Sequence, residues 1–248
     1  MTKELDFLVR VVKEAAGFIT DKFTIKSKTV DGRDGLVTDL DTKIEQHFTD
    51  AATKEYPDFV VIGEELNSKT ELTKNCFVID PIDGTVNFCH GLPIWGIQVA
   101  CIKGGKTVAA VIYLPKLDEF YTADKDGAFM NGKPIKVNKL PISQSLYVVE
   151  GAGDTRMHAV LRMRKYVRHT RGLACCAAHF AWVACGRFGG TIFRNNNPWD
   201  YIPGLYIAAQ AGAYIIDKPL MHVAANTQEF AELLAREANL RSDDFDED

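Results

Sequence analysis

The sequence predicts a mixed fold of the α/β (α+β) class, because helix-like and strand-like patterns both recur along its 248 residues. Apolar residues at helical spacing mark residues 5–23. Residues 95–137 instead show short apolar runs separated by glycine-containing turns. Beyond Pro141 the two patterns alternate. A chain of this length, 46% hydrophobic, can bury a full core in one or two domains.

The N-terminal third is predicted to form two helices and two buried strands. One face of the first helix carries apolar residues at helical spacing: Leu5, Leu8, Val9, Val12, Ala16, Ile19 and Phe23. The second helix covers roughly residues 41–56 and is stopped by Pro57. Residues 59–62 and 76–79 are short runs rich in β-branched and aromatic side chains, which are typical of buried strands.

The middle segment is predicted to be an antiparallel meander. Its runs are separated by Gly-Gly at 104–105, Asp-Gly at 126–127 and Asn-Gly at 131–132, which are dipeptides of hairpin turns. Further helices are predicted near residues 155–166, 175–185, 200–211 and 227–240, and a strand at 213–217. The acidic residues 243–248 are predicted to be disordered.

The hexapeptide Asp-Pro-Ile-Asp-Gly-Thr at residues 80–85 is the most informative motif. Asp80 is predicted to end a strand, Pro81 lacks an N–H, and Gly84 lets the backbone approach a ligand closely. Thr85 is predicted to be the N-cap of a helix, whose free N–H groups attract anions. The two carboxylates suit a cation such as Mg²⁺. The turn predicts a joint metal and phosphate site, and the alternative is a turn without any ligand.

Three further segments place carboxylates at predicted element boundaries, which favours the metal site. Glu64 and Glu65 follow the first predicted strand. Asp200 lies in the sequence Asn-Pro-Trp-Asp, where it is predicted to be a helix N-cap with Pro203 in the first turn. Asp41 opens the second predicted helix.

Taken in order, the motifs at residues 63–65, 80–85 and 197–200 resemble those of the inositol monophosphatase family of Mg²⁺-dependent, lithium-sensitive phosphatases. Three further segments extend the likeness over most of the chain: residues 36–38, 127–135 and 181–187. Members of this family hydrolyse different phosphate esters, so the resemblance implies the reaction class and leaves the substrate open.

The resemblance also implies the architecture. It is a layered α-β-α-β-α sandwich of the inositol monophosphatase and fructose-1,6-bisphosphatase type. A single phosphatase domain is expected over residues 1–242, with lobes at about 1–140 and 141–242 and the metals in the cleft between them.

Residue by residue, the resemblance implies that Glu64, Asp80 and the Ile82 carbonyl hold a first metal ion. Asp80, Asp83 and Asp200 would hold a second, so that Asp80 bridges both. Two or three Mg²⁺ ions are expected, with Li⁺ as an inhibitor. Because several converging carboxylates repel one another, the site needs cations or bound protons.

The family's nucleophile is a metal-activated water, and the resemblance gives catalytic roles to Thr85, Asp41 and Glu64. Thr85, hydrogen-bonded to Asp41, would orient and deprotonate the water, and Glu64 would help to hold it. The phosphate would contact the N–H groups of Gly84 and Thr85, and no covalent phosphoenzyme is expected. Lys28 is interpreted as an ordinary exposed lysine, with neutralisation of the acidic site as the alternative.

Substrate contacts are expected from a set that overlaps the metal ligands: Asp83, Gly84, Thr85, Cys175, Phe193, Arg194 and Asp200. Departures from the family pattern concentrate here, because Phe193 stands where inositol phosphatases carry a glutamate. Arg194 favours a leaving group with additional negative charge, and a solvent-facing side chain is the alternative. Inositol monophosphate is therefore not the expected substrate. The turn at residues 218–221 is compressed relative to the glycine-rich turn that is usual in the family, which is expected to alter the lid over the substrate.

Composition argues against several other partners. The net charge of −4 disfavours nucleic acid, and the basic run within residues 162–171 is interpreted as a solvated surface. No secretory signal and no apolar run of membrane-spanning length are visible. Six cysteines without a Cys-x-x-Cys pair indicate reduced thiols and a cytoplasmic location. None of the six histidines is assigned to catalysis.

The expected function is a Mg²⁺-dependent phosphomonoesterase that acts on a small phosphorylated alcohol, sugar or nucleotide. Family members commonly form homodimers, so a homodimer is expected as well. The alternative is a catalytically weak binding or regulatory protein that kept the same scaffold.

Overall fold

The computed structural model describes residues 1–30, 33–149 and 154–239. The helices within these residues are, in chain order, α1 (Lys3–Ala16), α2 (Asp39–Glu55), α3 (Thr85–Cys89), α4 (Asp154–Met163), α5 (Cys176–Ala184), α6 (Pro198–Gln210) and α7 (Gln228–Asn239). Among the described helices, none combines the length and the apolar character that crossing a membrane requires. The predicted disorder of residues 243–248 lies outside the described residues.

The strands fall into three sheets. A hairpin is formed by β1 (Ile25–Val30) and β2 (Arg33–Thr38). A seven-stranded sheet contains β3 (Val60–Gly63), β4 (Cys76–Asp83), β5 (Gly96–Lys103), β6 (Lys106–Leu114), β7 (Glu119–Asp124), β8 (Gly127–Met130) and β9 (Lys133–Pro134). A five-stranded sheet contains β10 (Leu146–Val149), β11 (His169–Arg171), β12 (Gly190–Phe193), β13 (Tyr214–Lys218) and β14 (Met221–Ala225).

The seven-stranded sheet confirms the predicted meander. Its strands lie in chain order from β3 to β9, and every neighbouring pair from β4 onward is antiparallel. The first pair, β3 and β4, is parallel, with Gly63 opposite Ile79. Because both strands of a parallel pair end at the same edge, the acidic residues that follow them are brought together.

The two faces of this sheet pack against different helices. Alternate residues of the strands, such as Phe77 and Val99, form one core with Leu8 of α1 and Phe48 of α2. Their neighbours face the opposite side. Val78 and Ala100 form a second core with α5 and α6.

The second core also includes Val148 and Ala224 of the five-stranded sheet, so α5 and α6 lie between the two sheets. On the far side of that sheet, Val149 and Val223 pack with α4 and α7 in a third core. Helices and sheets therefore alternate in five layers, which confirms the expected α-β-α-β-α sandwich.

Two helix boundaries differ from the prediction. The first helix ends at Ala16, not at Phe23, because the N–H of Gly17 turns back to the carbonyls of Glu14 and Ala15. Ile19 and Phe23 still pack at the edge of the core. The helical spacing of apolar residues therefore extends beyond the end of the helix, and for this reason the predicted helix was too long.

The helix α6 begins earlier than predicted. Its N-cap is Asn197 and Pro198 takes the first helical position, so Asp200 lies inside the first turn and Pro203 lies in the helix interior. Proline suits the first position because its missing N–H has no partner there in any case. Asp200 was therefore wrongly predicted as the cap.

Candidate active site

A cavity of about 310 Å³ opens where β3 and β4 end and where α3, α5 and α6 begin. Most of the residues singled out in the sequence as site residues line it: Glu64, Asp83, Gly84, Thr85, Cys175, Phe193 and Asp200. Seven further residues also line it, and Lys28, Cys176 and Asn195 are the polar ones among them. Segments far apart in the sequence thus meet at one cavity.

The turn at residues 80–85 is built around the end of β4. Asp80 does not end the strand as predicted, since β4 continues to Asp83 with a change of register between the two residues. The side chain of Asp80 accepts a hydrogen bond from the N–H of Ile82 at 3.1 Å. The side chain of Asp80 thus holds the backbone of the turn, and Asp83 lines the cavity.

Gly84 is required at the start of α3. Its φ of +84° is left-handed, and a Cβ at this position would lie 3.1 Å from the carbonyl oxygen of Ala174. Gly84 is the N-cap, so Thr85 is the first helical residue and not the cap that the sequence predicted. Glycine is the residue that tolerates both the dihedral angle and the close backbone approach.

Asp83 is held by the N-terminus of α5. Its carboxylate accepts hydrogen bonds from the N–H of Cys176 at 3.2 Å and the N–H of Ala177 at 2.6 Å. The thiols of Cys175 and Cys176 contact the same carboxylate at 2.9 and 3.1 Å. This arrangement fixes the orientation of Asp83 and places a negative charge at a helix N-terminus, where it is favoured.

Asp200 faces Asp83 from the first turn of α6. Its Oδ2 accepts hydrogen bonds from the side-chain amides of Asn195 at 3.1 Å and Asn197 at 3.3 Å. Ligand atoms of Asp83, Cys176 and Asp200 lie within 4.8 Å of one another. These three side chains could hold one metal ion together.

The electrostatics of the site call for a cation. Asp80 is only 2% exposed, and burial raises the pKa of its carboxyl well above the ordinary value, with the charges of Glu64, Asp83 and Asp200 adding to the effect. Burial, followed by the charges of Glu64 and Asp83, likewise raises the pKa of Asp200 well above its ordinary value. Buried carboxylates that repel one another in this way fit hard divalent cations, which would compensate their charge.

Lys28 supplies part of that compensation, so the interpretation as an ordinary exposed lysine was wrong. Its Nζ lies 2.7 Å from Oε1 of Glu64 and also contacts Glu65. Burial opposes the charge on Lys28, but the two glutamates together raise the pKa of its ammonium group. Burial also raises the pKa of Glu65 to about 7, although Lys28 acts in the opposite direction.

Asp41 occupies a different position from the one that the resemblance implies. It is 1% exposed and accepts hydrogen bonds from the N–H and the hydroxyl of Thr38, at 2.8 and 2.5 Å. The hydroxyl of Thr85 donates to the carbonyl of Ile82 at 2.9 Å. The expected hydrogen bond between Thr85 and Asp41 is therefore absent from this arrangement of the described residues. Burial raises the pKa of Asp41 to about 6.

The expected substrate contacts are arranged unevenly around the cavity. Phe193 and Cys175 lie in its wall and are almost fully buried. Arg194 is exposed and is not one of the residues that line the cavity. The next residue, Asn195, takes the place in the wall instead.

Glu45 is a supporting residue that sequence reasoning missed. Its fully buried carboxylate accepts hydrogen bonds from the N–H groups of Glu65 at 2.8 Å and Leu66 at 2.9 Å. It leaves no room for a side chain at residue 63, since a Cβ on Gly63 would lie 2.3 Å from Glu45 Cδ. Glu45 lies four residues after Asp41, on the same face of the predicted helix, and this spacing is the sequence feature that could have identified it.

The sequence model of the inositol monophosphatase family matches residues 2–236, which is nearly the whole chain. The protein belongs to this family. Inositol monophosphatases and their relatives are hydrolases of phosphoric monoesters, and this chain is a phosphomonoesterase of the family.

Two curated relatives show the range of activities within the inositol monophosphatase family. A fructose-1,6-bisphosphatase/inositol-1-monophosphatase of Thermotoga maritima is 31% identical over 224 residues, which cover 86% of this chain and 84% of that protein. A histidinol-phosphatase of Chlorobaculum parvum is 30% identical over 225 residues, covering 88% and 86% of the two chains.

A solved structure supports the same assignment. The inositol monophosphatase of Thermotoga maritima superposes with a TM-score of 0.85 at 27% identity, covering 96% of this chain and 97% of that chain. The layered fold is therefore that of an inositol monophosphatase.

Proposed function

We propose that the protein hydrolyses small phosphate monoesters with the help of Mg²⁺ bound in the acidic cavity. The observation that carries this proposal is the convergence of ligand atoms of Asp83, Cys176 and Asp200 within 4.8 Å of one another. Asp80 is close enough that the charges of Asp83 and Asp200 add to the effect of burial in raising its pKa, and the pKa values of Asp83 and Asp200 are raised as well. Such a cluster is unfavourable in a mere scaffold, because it concentrates like charges in a desolvated place.

The group formed by Asp83, Cys176 and Asp200 supports one ion position, and the family resemblance supports a second one beside it. Glu64, Asp80 and the Ile82 carbonyl would hold one ion, and Asp80, Asp83 and Asp200 would hold the other, with a third ion and inhibition by Li⁺ as part of the same proposal. When bound, Mg²⁺ would activate a water molecule and neutralise negative charge on the phosphate. Cys176 is an additional sulfur donor beside the second position.

The chain's own groups would position the reactants. Gly84 and Thr85 line the cavity at the start of α3, and their N–H groups would hold the phosphate oxygens. The Thr85 hydroxyl and Glu64 would orient the attacking water. Water would attack phosphorus, the P–O bond to the alcohol would break, and the alcohol would leave with a proton.

The cavity fits a phosphorylated alcohol, sugar or nucleotide fragment of modest size. Its volume is about 310 Å³, at the lower end of the range for small-molecule sites. Phe193 offers an apolar wall and Asn195 offers an amide to the leaving alcohol. We place Arg194 outside the wall, where it would act only on substrates long enough to carry a second phosphate to the cavity rim.

We also propose that the enzyme acts in the cytoplasm as a homodimer. All six cysteines are free, as expected for a reducing compartment. The dimer follows from the family alone, and sedimentation analysis of the purified protein would test it.

The test is phosphate release from a panel of esters with Mg²⁺, with Mg²⁺ plus Li⁺, and with a chelator. The panel comprises inositol 1-phosphate, fructose 1,6-bisphosphate, histidinol phosphate, adenosine 3′,5′-bisphosphate and NADP. We expect Mg²⁺-dependent, Li⁺-sensitive turnover of at least one ester, and Arg194→Ala should harm only doubly charged ones. If no ester is hydrolysed, the protein would instead be a binding or regulatory relative.

A further inference from the structure

A run of three asparagines, residues 195–197, connects β12 to α6 and borders the cavity. Asn195 lies in the cavity wall, and the side-chain amides of Asn195 and Asn197 both donate to Oδ2 of Asp200. The N–H of Asn197 also donates to Oδ1 of Asn195 at 3.0 Å. The conformation of this loop therefore decides how Asp200 is oriented and what the substrate meets.

The loop is attached to the hairpin formed by β13 and β14. The side chain of Asn196 accepts a hydrogen bond from the N–H of Leu220, in the compressed turn of that hairpin, at 2.7 Å. The Nε2 atom of His222 lies 2.6 Å from the backbone carbonyl oxygen of Asn195. Two contacts from one short hairpin thus hold two successive residues of the loop.

The side chain of His222 is buried among residues that the structure describes. It is 2% exposed, and its ring stacks on the ring of Tyr201 with centroids 3.5 Å apart and an angle of 8° between the planes. Its second nitrogen, Nδ1, lies 2.7 Å from Oδ1 of Asp217. Both partners of the ring, a carboxylate and a carbonyl, are hydrogen-bond acceptors.

The hydrogen bond from His222 to the Asn195 carbonyl therefore requires a proton on Nε2. An imidazolium donates from both nitrogens and forms both hydrogen bonds, whereas a neutral ring carries a single N–H. Because a carboxylate is the stronger acceptor, a neutral ring keeps its proton on Nδ1 for Asp217 and loses the bond to Asn195.

We propose that His222 is a positioning residue, which holds the asparagine loop in place through the Asn195 carbonyl so that Asn195 and Asn197 orient Asp200 at the cavity. This inference deepens the proposed function and rests on it. Neither His222 nor Asn195 was expected from the acidic motifs, and the compressed turn at residues 218–221 gains a specific role, because Leu220 holds Asn196.

Three side chains surround the ring of His222. Asp217 faces it from β13 and Tyr201 from α6, while Phe193 of β12 contributes an uncharged ring with its centroid 6.5 Å away. These contacts hold the ring in the orientation in which Nε2 meets the Asn195 carbonyl.

Two substitutions of His222 separate the two hydrogen bonds. In His222→Gln the amide nitrogen can take the place of Nε2 and keep the bond to Asn195, without a titrating group. In His222→Asn the amide nitrogen takes the place of Nδ1 and loses that bond. His47→Gln is the control, since His47 also pairs with a carboxylate, Glu14 at 3.2 Å, on a different part of the chain.

We expect His222→Asn to raise the KM for the phosphate ester and the Mg²⁺ concentration at half-maximal rate about fivefold each, the effect of losing about 1 kcal/mol. The kcat at saturation should stay within about twofold of wild type. His222→Gln should restore both constants, because its amide nitrogen keeps the hydrogen bond to Asn195. His47→Gln should match wild type throughout.

Equal constants for His222→Asn and wild type would overturn the proposal. So would equal impairment of both variants accompanied by the same loss of melting temperature, which would indicate packing alone. Nitrogen-15 spectra of the wild-type imidazole provide a test without turnover. A protonated Nε2 on His222 supports the hydrogen bond to Asn195, and an Nε2 without a proton overturns it. Absence of turnover in wild type would refute the proposed function separately.

Discussion

The ammonium group of Lys28 lies 2.7 Å from Oε1 of Glu64, across 36 residues of sequence, and its side chain also reaches Glu65. The side chains of Lys28 and Glu64 are 21% and 24% exposed, so water screens this pair only partly. Lys28 thus compensates charge at the proposed metal site from within the protein.

Removal of this charge should make the protein more dependent on Mg²⁺. In Lys28→Gln the two glutamates lose their cation. We therefore expect the free energy of unfolding of the metal-free protein to fall by about 1 kcal/mol. The gain in melting temperature on adding Mg²⁺ should increase, while KM for the anionic substrate rises.

Thermal unfolding with chelator and with Mg²⁺ measures this effect. Lys116→Gln is the matched control, because the pair of Lys116 with Asp21 at 3.8 Å is exposed. An unchanged melting temperature of Lys28→Gln in chelator would contradict the role assigned to Lys28.

Asp83→Asn should abolish most turnover, by about a hundredfold or more, because it removes one negative charge from the metal ligands without removing volume. The structure adds a second effect. The carboxylate of Asp83 accepts from the N–H groups of Cys176 and Ala177, and an amide NH₂ cannot accept. Losing one such bond should lower the free energy of unfolding by about 1–3 kcal/mol.

Steady-state phosphate release and chemical denaturation measure the two effects of Asp83→Asn separately. Asp126→Asn is the control, since the Asp126 side chain is 45% exposed and pairs with Lys125. Turnover of Asp83→Asn close to that of wild type would remove Asp83 from the metal site.

The metal-free protein should lose stability as the pH rises. Burial raises the pKa of Asp41 to about 6 and that of Glu65 to about 7, above their values in the unfolded chain. A group with a raised pKa binds its proton more tightly in the folded state, so its stabilising contribution is present at low pH and is lost as the pH rises through the folded pKa.

We therefore expect the unfolding free energy in chelator to fall between about pH 4 and pH 7. Added Mg²⁺ should stabilise the protein increasingly over the same range, because it binds the deprotonated carboxylates. Denaturant titrations at several pH values measure both curves. Glu65→Gln should flatten the upper part of the chelator curve, and a chelator curve that rises with pH would contradict this assignment.

Cys176 should add affinity for thiophilic cations. Its sulfur lies with carboxylate oxygens of Asp83 and Asp200 inside one 4.8 Å set, and thiolate ligands favour softer metals than Mg²⁺. We expect Cd²⁺ to produce a sulfur-to-metal charge-transfer band in the ultraviolet spectrum. The band should vanish in Cys176→Ser and persist in Cys175→Ser, because the Cys175 thiol lies outside that set.

A band that is equally strong in Cys176→Ser would show that Cd²⁺ binds elsewhere. In that case Cys176 would serve only to orient Asp83 through the hydrogen bond between their side chains.

The sequence by itself determined the local elements and the acidic motifs. Strand patterns and glycine turns in residues 95–137 predicted the meander because hairpin register depends on neighbouring residues. The motif at residues 80–85 predicted a site because its turn chemistry and carboxylates are contiguous. Helix ends were less predictable, since the cap at Gly17 and the start at Pro198 depend on which backbone groups find partners.

Only the tertiary structure decided which distant side chains meet. Lys28 reaches Glu64 because the β1–β2 hairpin lies beside the end of β3, and Cys176 reaches Asp83 because α5 packs beneath the seven-stranded sheet. His222 holds Asn195 because β14 pairs with β12. Such contacts arise from the order and register of the sheets, which no short stretch of sequence specifies, whereas the acidic motifs are local and can be read directly.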